Sequence, residues 1–257
     1  MLNKINKIKI ISVAILSILS VHSQAQAIVN IEDLRLEGEI GFFTNIAVSL
    51  GAARGNRDRD NYSLQLRFDN NSEDFESFAI FQQSERKSNE VTTDESTFMH
   101  GRYILLGQER LHWEIFAQYS ENPFENYKKR SVFGTGIRYE ITNTMRLGSG
   151  FLNEDETDLS GKSNKTDRLG FYLHNAYEIV ENISFNPTIY FQPSLNDFEN
   201  DYKTSMILAI DFKVNENFKI MLQYSSAYDS DPPMLAEKSD ESISTMFSYD
   251  MSQIWMD

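Results

Sequence analysis

Basic and acidic side chains recur in this chain at positions that alternate with apolar ones. From residue 100 onward they are His100 and Arg102, His112 and Glu114, Arg130, Arg138 and Glu140, Arg146, Glu154, Arg168, His174 and Glu178. Residue types of this kind allow three chemistries. Arg and Glu on neighbouring strands can pair and satisfy each other in an occluded interior. Arg side chains can instead line a narrow aqueous path and favour small anionic solutes. Histidine beside a nucleophile could support hydrolysis, but His174 is followed by Asn175 and Ala176, with no serine motif near it. A nucleophile needs its base within hydrogen-bond reach, and the sequence offers no such constellation. Metal-spaced histidines and phosphate-cradling glycine loops are absent as well. The expectation is a protein that is not an enzyme and that carries no cofactor and no metal. The acidic stretches "NEDETD" (Asn153 to Asp158) and "NDFEND" (Asn196 to Asp201) hold ligands a divalent cation would accept, but they lack the spacing of a defined calcium loop. They read as solvated loops.

The elements that must position these residues are strands. In "YKTSMILAIDFKV" (Tyr202 to Val214), Tyr202, Thr204, Met206, Leu208, Ile210 and Phe212 alternate with Lys203, Ser205, Ile207, Ala209, Asp211 and Lys213. Period two over such a length exceeds the usual soluble strand, and a tilted membrane strand needs about 9–11 residues. The same alternation places strands near residues 38–52, 61–70, 74–84, 95–106, 110–120, 130–141, 144–153, 167–179, 182–193, 202–214, 217–228 and 241–251. Pro187 lies inside one of them and predicts a bulge, because proline removes a ladder hydrogen bond.

The connections alternate between short ones ("DNNSED", "GQER", "TNT", "VEN", "NEN") and long ones, among them "SERKSNEVTTDE" and "NEDETDLSGKSNKTD". An even strand count with tight turns at one rim and long loops at the other is the rhythm of an outer-membrane barrel. A phrase written three times, "YEITNTMRLG", "YEIVENISFN" and "FKVNENFKIM", then marks the tight-turn rim. Its aromatic belongs to an interfacial girdle and its Asn to the turn.

Together these features predict an all-β fold, a closed antiparallel transmembrane β-barrel of 12 strands, with apolar side chains facing lipid and the polar face inward. A twelve-strand cylinder closed in water would enclose a space too wide for side chains to fill, since about eight strands already suffice for that. Glycines on the polar face (Gly134, Gly136, Gly148, Gly150, Gly170) suit a concave surface. The lumen-lining set is then His100, Arg102, Glu114, Arg130, Arg138, Glu140, Arg146, Arg168, His174 and Glu178. Whether residues 152–167 fold inward as a plug is left open by the pattern.

Lys4, Lys7 and Lys9, the apolar run "IISVAILSIL" and the small-residue site "AQA" predict a cleaved secretory signal peptide over residues 1–27, with one barrel domain over 28–257. Loss of three lysines takes the formal charge from -14 to about -17. So acidic a chain is a poor partner for nucleic acid. The expected location is the cell outer membrane, and the expected partners are its lipids and the barrel-assembly machinery during insertion. Cysteine is absent, so stability must come from packing or from the membrane.

The motif "YDSDPP" (Tyr228 to Pro233) with a following Lys-Ser-Asp stretch and "TMFSYDM" resembles the salt-induced outer-membrane protein family, a domain of unknown function. "GN" at Gly55–Asn56 and "RSVFGTGIRYEI" leading to "RLGSG" are also similar. The family pattern stops on an aromatic, whereas this chain has Met251 and continues "SQIWMD". The resemblance implies an outer-membrane barrel with a link to salt or osmotic stress, and it implies no reaction.

Overall fold

In the computed structural model, the described residues are 40–55, 58–107, 109–123, 127–232 and 237–251. The expected signal peptide and the stretch after Met251 lie outside them. Thirteen strand segments follow in chain order: β1 (Gly41–Ala53), β2 (Arg59–Asn71), β3 (Phe75–Ser88), β4 (Val91–Leu105), β5 (Leu111–Asn122), β6 (Tyr127–Glu140), β7 (Met145–Thr157), β8 (Ser163–Asn175), β9 (Tyr177–Val180), β10 (Ile183–Pro193), β11 (Tyr202–Lys213), β12 (Phe218–Asp229) and β13 (Ser239–Asp250). β8 and the short β9 both pair with β10, one above the other, so the segments form twelve staves. Each stave pairs antiparallel with its sequence neighbours, and β13 pairs with β1 to close the circle. Closure gives every stave two neighbours, and the closing seam between β1 and β13 runs over four register pairs, Asn45↔Asp250 to Val48↔Phe247.

The interruption between β8 and β9 has a cause in the sequence. Register with β11 runs through Pro187↔Leu208 without a shift. On the other side, pairing stops at Thr188↔His174 and resumes at Phe185↔Tyr177. Pro187 therefore does not form the expected bulge. Its missing N–H instead splits the neighbouring stave, and the register shift falls at Ile183/Ser184.

Two expected long loops are mostly strand. "SERKSNEVTTDE" continues β3 and β4 to a two-residue turn at Asn89 and Glu90, both with positive φ. Paired positive-φ residues match the right-handed twist of a hairpin. Residues 152–167 likewise continue β7 and β8 and are no inward plug. Both extensions are polar on their two faces, so period two alone leaves them unassigned.

The face assignment is the inverse of a soluble barrel. Leu64, Phe68, Trp113, Phe133, Ile137, Leu173, Ile189, Phe212 and Leu222 are exposed on the outside, while Arg67, His100, Arg102, Glu114, Arg138, Arg146, Arg168 and His174 are buried inside. Rings gather at both ends of the outer surface. At the tight-turn end Phe42 stacks with Phe68, Phe75 with Tyr103, and Phe218 with Phe247. At the other end Phe171, Phe191, Tyr202 and Tyr228 form a chain of ring contacts across β8, β10, β11 and β12.

Candidate functional site: the lumen

The lumen has three levels. Nearest the tight turns, Arg138 is 1% exposed and donates to Glu140 at 3.1 Å, with Glu76 at 3.8 Å from its other nitrogen. His112 accepts from the Gly107 amide through Nδ1, and its Nε2 lies 3.2 Å from Glu140. His174 Nδ1 meets the Thr188 hydroxyl at 2.8 Å, and Lys219 donates to Asp211 at 2.6 Å. Arg146 is buried in the same region. Glu178 shares the inward parity but stands exposed at the rim, outside the buried set.

The middle level is a floor of cations among rings. Arg102 donates to Glu114 at 3.3 Å, and the Tyr172 hydroxyl reaches the same Glu114 oxygen at 3.2 Å. The Arg102 guanidinium lies 4.9 Å from the Phe116 ring centre and 5.6 Å from that of Tyr172. Arg67, fully buried, sits 4.2 Å over Phe78 and makes a two-pronged contact with Asp69 at 2.7 and 2.8 Å. His100 stacks between Phe78 and Phe116. A planar, weakly hydrated guanidinium tolerates such surroundings because ring faces and a carboxylate replace its water. Tyr172 reaches across because its register partner is Gly148, where a Cβ would overlap the ring. Glycine here makes room for a side chain, a role distinct from the curvature expected of it.

The level nearest the longer loops is a polar hub. Glu154 accepts from Arg130 through two nitrogens, from Arg168 Nε at 3.3 Å and from Lys203 Nζ at 3.1 Å. Lys203 also donates to Glu156 at 2.7 Å, and Arg168 to Asp201 at 2.8 Å. Four elements, β6, β7, β8 and β11, meet at this carboxylate. The acidic stretches read as loops are accounted for here. Glu154 and Glu156 point inward at cations, and Asp201 joins Arg168. The "YDSDPP" motif ties two loops together: Ser230 accepts from the Tyr202 amide and donates to the Asn200 carbonyl, while Lys238 caps the Ser230 carbonyl.

Between hub and floor lies a cavity of about 190 Å³. Its wall carries Gln82, Ser96, Gln118 and Ser120 beside Phe98, Phe116 and Tyr190. Below it the lumen is filled: Ile104, Ile207, Met221, Arg67 and Arg138 are almost completely enclosed. Apolar residues thus share the closure with charged ones. Ala209, Met221 and Met246 form one inward apolar cluster, and Phe78 with Ile80 another.

Arg67, Asp69, Glu76, Lys203, Asp211 and Lys219 belong to these networks but were not in the expected set. The signal for the first two was present, since Gln65, Arg67 and Asp69 alternate with Leu64, Leu66 and Phe68. Nothing in the pattern could bring Lys203 to Glu154 across the two staves that separate β7 from β11.

An outward apolar surface, inward ion pairs and a closed circle of staves define the class of β-barrel made for a membrane. Within that class, the chain belongs to the family described as a protein of unknown function, DUF481, whose model matches residues 46–251. No curated protein matches it significantly. Among solved structures it is similar to the NanC porin, at 10% identity and a TM-score of 0.47 over 80% of this chain and 97% of that one. It is also similar to the translocator domain of the autotransporter NalP from Neisseria meningitidis, at 11% identity and a TM-score of 0.49 over 83% and 89% of the two chains. The KdgM porin is similar at 7% identity and a TM-score of 0.46, over 81% and 98%.

Proposed function

We propose that this protein is an integral outer-membrane barrel with a non-enzymatic envelope role, its lumen closed to through-passage. The observation that carries the reading is the inverted burial: apolar side chains and two belts of rings outside, ion-paired Arg, His and Glu inside. Burying charges while exposing Phe133 or Leu222 is unfavourable in water and favourable in lipid. Its partners are the lipids around the belt and the barrel-assembly machinery during insertion. The histidines support the absence of a reaction, since His174 and His112 are engaged with Thr188 and Glu140, and His100 is stacked among rings. A role in salt or osmotic adaptation is supported by the "YDSDPP" and "RSVFGTGIRYEI" resemblance.

The second reading is a narrow channel with a preference for small anions. The open cavity with Arg102 and Arg130 in its wall favours it. Recording in planar bilayers separates the two. Folded wild-type protein is expected to give no conductance steps. Steps whose anion preference disappears in the Arg102→Ala, Arg138→Ala and Arg168→Ala variants would establish the channel instead.

A further inference from the structure

With the lumen filled below the Arg102–Glu114–Tyr172 floor, the cavity above it is a cup whose lining runs up to Lys238 and Asp240 at the loop end. Charge around its upper part is not balanced pair by pair. Lys203 is shared by Glu154, Glu156 and Asp229, at 3.1, 2.7 and 3.6 Å. Arg130 is shared by Glu154 and Glu156, and Arg168 by Glu154 and Asp201. Asp240 lines the same cavity, half-buried, and no Lys or Arg of the described residues pairs with it. Lys238, two residues away, turns to the Ser230 carbonyl. The mouth therefore carries a surplus of carboxylate, which draws cations and repels anions.

A second feature points into the same space. Ser120 lines the cavity from the inward face of β5, is 6% exposed, and its hydroxyl has no hydrogen-bond partner among the described residues. Its register neighbours do not supply one: Phe98 has no polar side-chain atom, and Arg130 is turned to Glu154 and Glu156. A buried hydroxyl in this state is ready to donate to a ligand group or accept from one. Deeper in the cup the wall is aromatic, with Phe98, Phe116 and Tyr190 in it. Gly136, Gly150 and Gly170 share one register row, so the wall of β6, β7 and β8 is bare of side chains there. The volume of about 190 Å³ is somewhat more than the roughly 150 Å³ that holds one benzene. A single ring with short substituents is the body such a space takes.

We propose that the cup is a binding site, entered from the loop end, for a small primary amine that carries one ring and a hydroxyl. The ammonium lies at Asp229 and Asp240, the ring among Phe98, Phe116 and Tyr190, and the hydroxyl at Ser120. Asp240 is in register with Ala227, which makes Asp229 its diagonal neighbour on the same face, a spacing one ammonium can bridge. A bare metal ion fits less well, because no three acidic or imidazole groups of the described residues converge to hold one. An anion meets Arg130 and Lys203 already engaged by carboxylates, so the preference is opposite to that of an anion channel. The proposal rests on the lumen being closed below the cup, and the test keeps the two apart.

The experiment titrates folded full-length protein in dodecyl maltoside by calorimetry, with protein-free micelles as the blank. The probes are tyramine, 2-phenylethylamine, which lacks the hydroxyl, and 3-(4-hydroxyphenyl)propionate, which has a carboxylate in place of the ammonium. Tyramine is expected to bind once per barrel, 2-phenylethylamine several-fold more weakly, and the propionate not at all. Asp240→Asn should weaken tyramine by about ten-fold or more, while Asp240→Glu keeps most of the affinity. Ser120→Ala should bring tyramine down to the level of 2-phenylethylamine and leave 2-phenylethylamine unchanged. Absence of saturable tyramine binding overturns the proposal. So does binding that the propionate shares, or binding that survives Asp229→Asn and Asp240→Asn together. Reconstituted vesicles test the closed lumen separately. Labelled tyramine held at one per barrel is the expected result, and retention that grows with the internal volume of the vesicles would overturn the closed lumen whatever the calorimetry gives.

Discussion

Glu154 illustrates how a charge survives inside this barrel. It is almost fully enclosed, and three cations from three strands converge on its two oxygens. Removing one member of a buried ion network leaves the others uncompensated, which costs about 3–5 kcal/mol. Glu154→Gln keeps the shape and deletes the charge, leaving Arg130, Arg168 and Lys203 around a neutral amide. Urea unfolding of the variant in lipid is expected to show a stability loss of about that size. A change below ~1 kcal/mol would mean that Glu156 and Asp201 carry the cations instead. The sequence made the partners of Arg102 legible, since Glu114 lies on the adjoining strand. Two of the rings that complete its surroundings, Phe78 and Phe116, are likewise its register partners on the adjoining strands, whereas Tyr172 comes from β8, which pattern alone does not place across the lumen.

Among the elements, the β7–β8 hairpin depends on one exposed turn. Asp158 accepts from the Ser160 hydroxyl and from the Lys162 amide, and these bonds hold its carboxyl below the usual range. A depressed carboxyl contributes order that is fully present above its ordinary pKa and is lost as pH falls through the lower, folded value. Exchange at the Lys162 amide should therefore accelerate only in acid, below the ordinary Asp range, after correction for the intrinsic rate. In Asp158→Ala it should be fast at every pH. A second element-level expectation concerns the broken stave. Pro187→Ala restores a backbone donor, so the amide of residue 187 should gain exchange protection and pairing should run on past Asn175. An unprotected amide there would remove Pro187 as the cause of the break. Strand positions were largely readable because alternation survives wherever one face meets lipid. It fails in the β3–β4 and β7–β8 extensions, where both faces meet water and only turn chemistry, such as Asn89–Glu90, marks the end.

For the molecule as a whole, the outward surface is the quantity that decides its environment. Phe133 lies near the middle of β6 and is 54% exposed. Phe133→Arg places a cation in the apolar belt and should cost about 2–4 kcal/mol in lipid, with a smaller effect in a thin detergent micelle. Comparing unfolding in the two media checks it, and equal losses would argue against a lipid-facing site. Inside-out burial was legible in the sequence through the signal-peptide pattern and the alternation of short and long connections. The manner of closure was not, because the contacts that fill the lumen join residues far apart in the chain.

The four register pairs that join β1 to β13 also bear on how the cylinder is made. Every other stave meets its neighbour in sequence, so those hairpins can form early and locally. The Asn45–Ser248 bond spans 203 residues and joins the first strand to the last. Contacts of such separation form late, after the rest of the wall has removed most of the search. A final join this short adds little stability of its own, so lengthening it by better pairing should slow opening of the finished ring far more than it speeds its assembly.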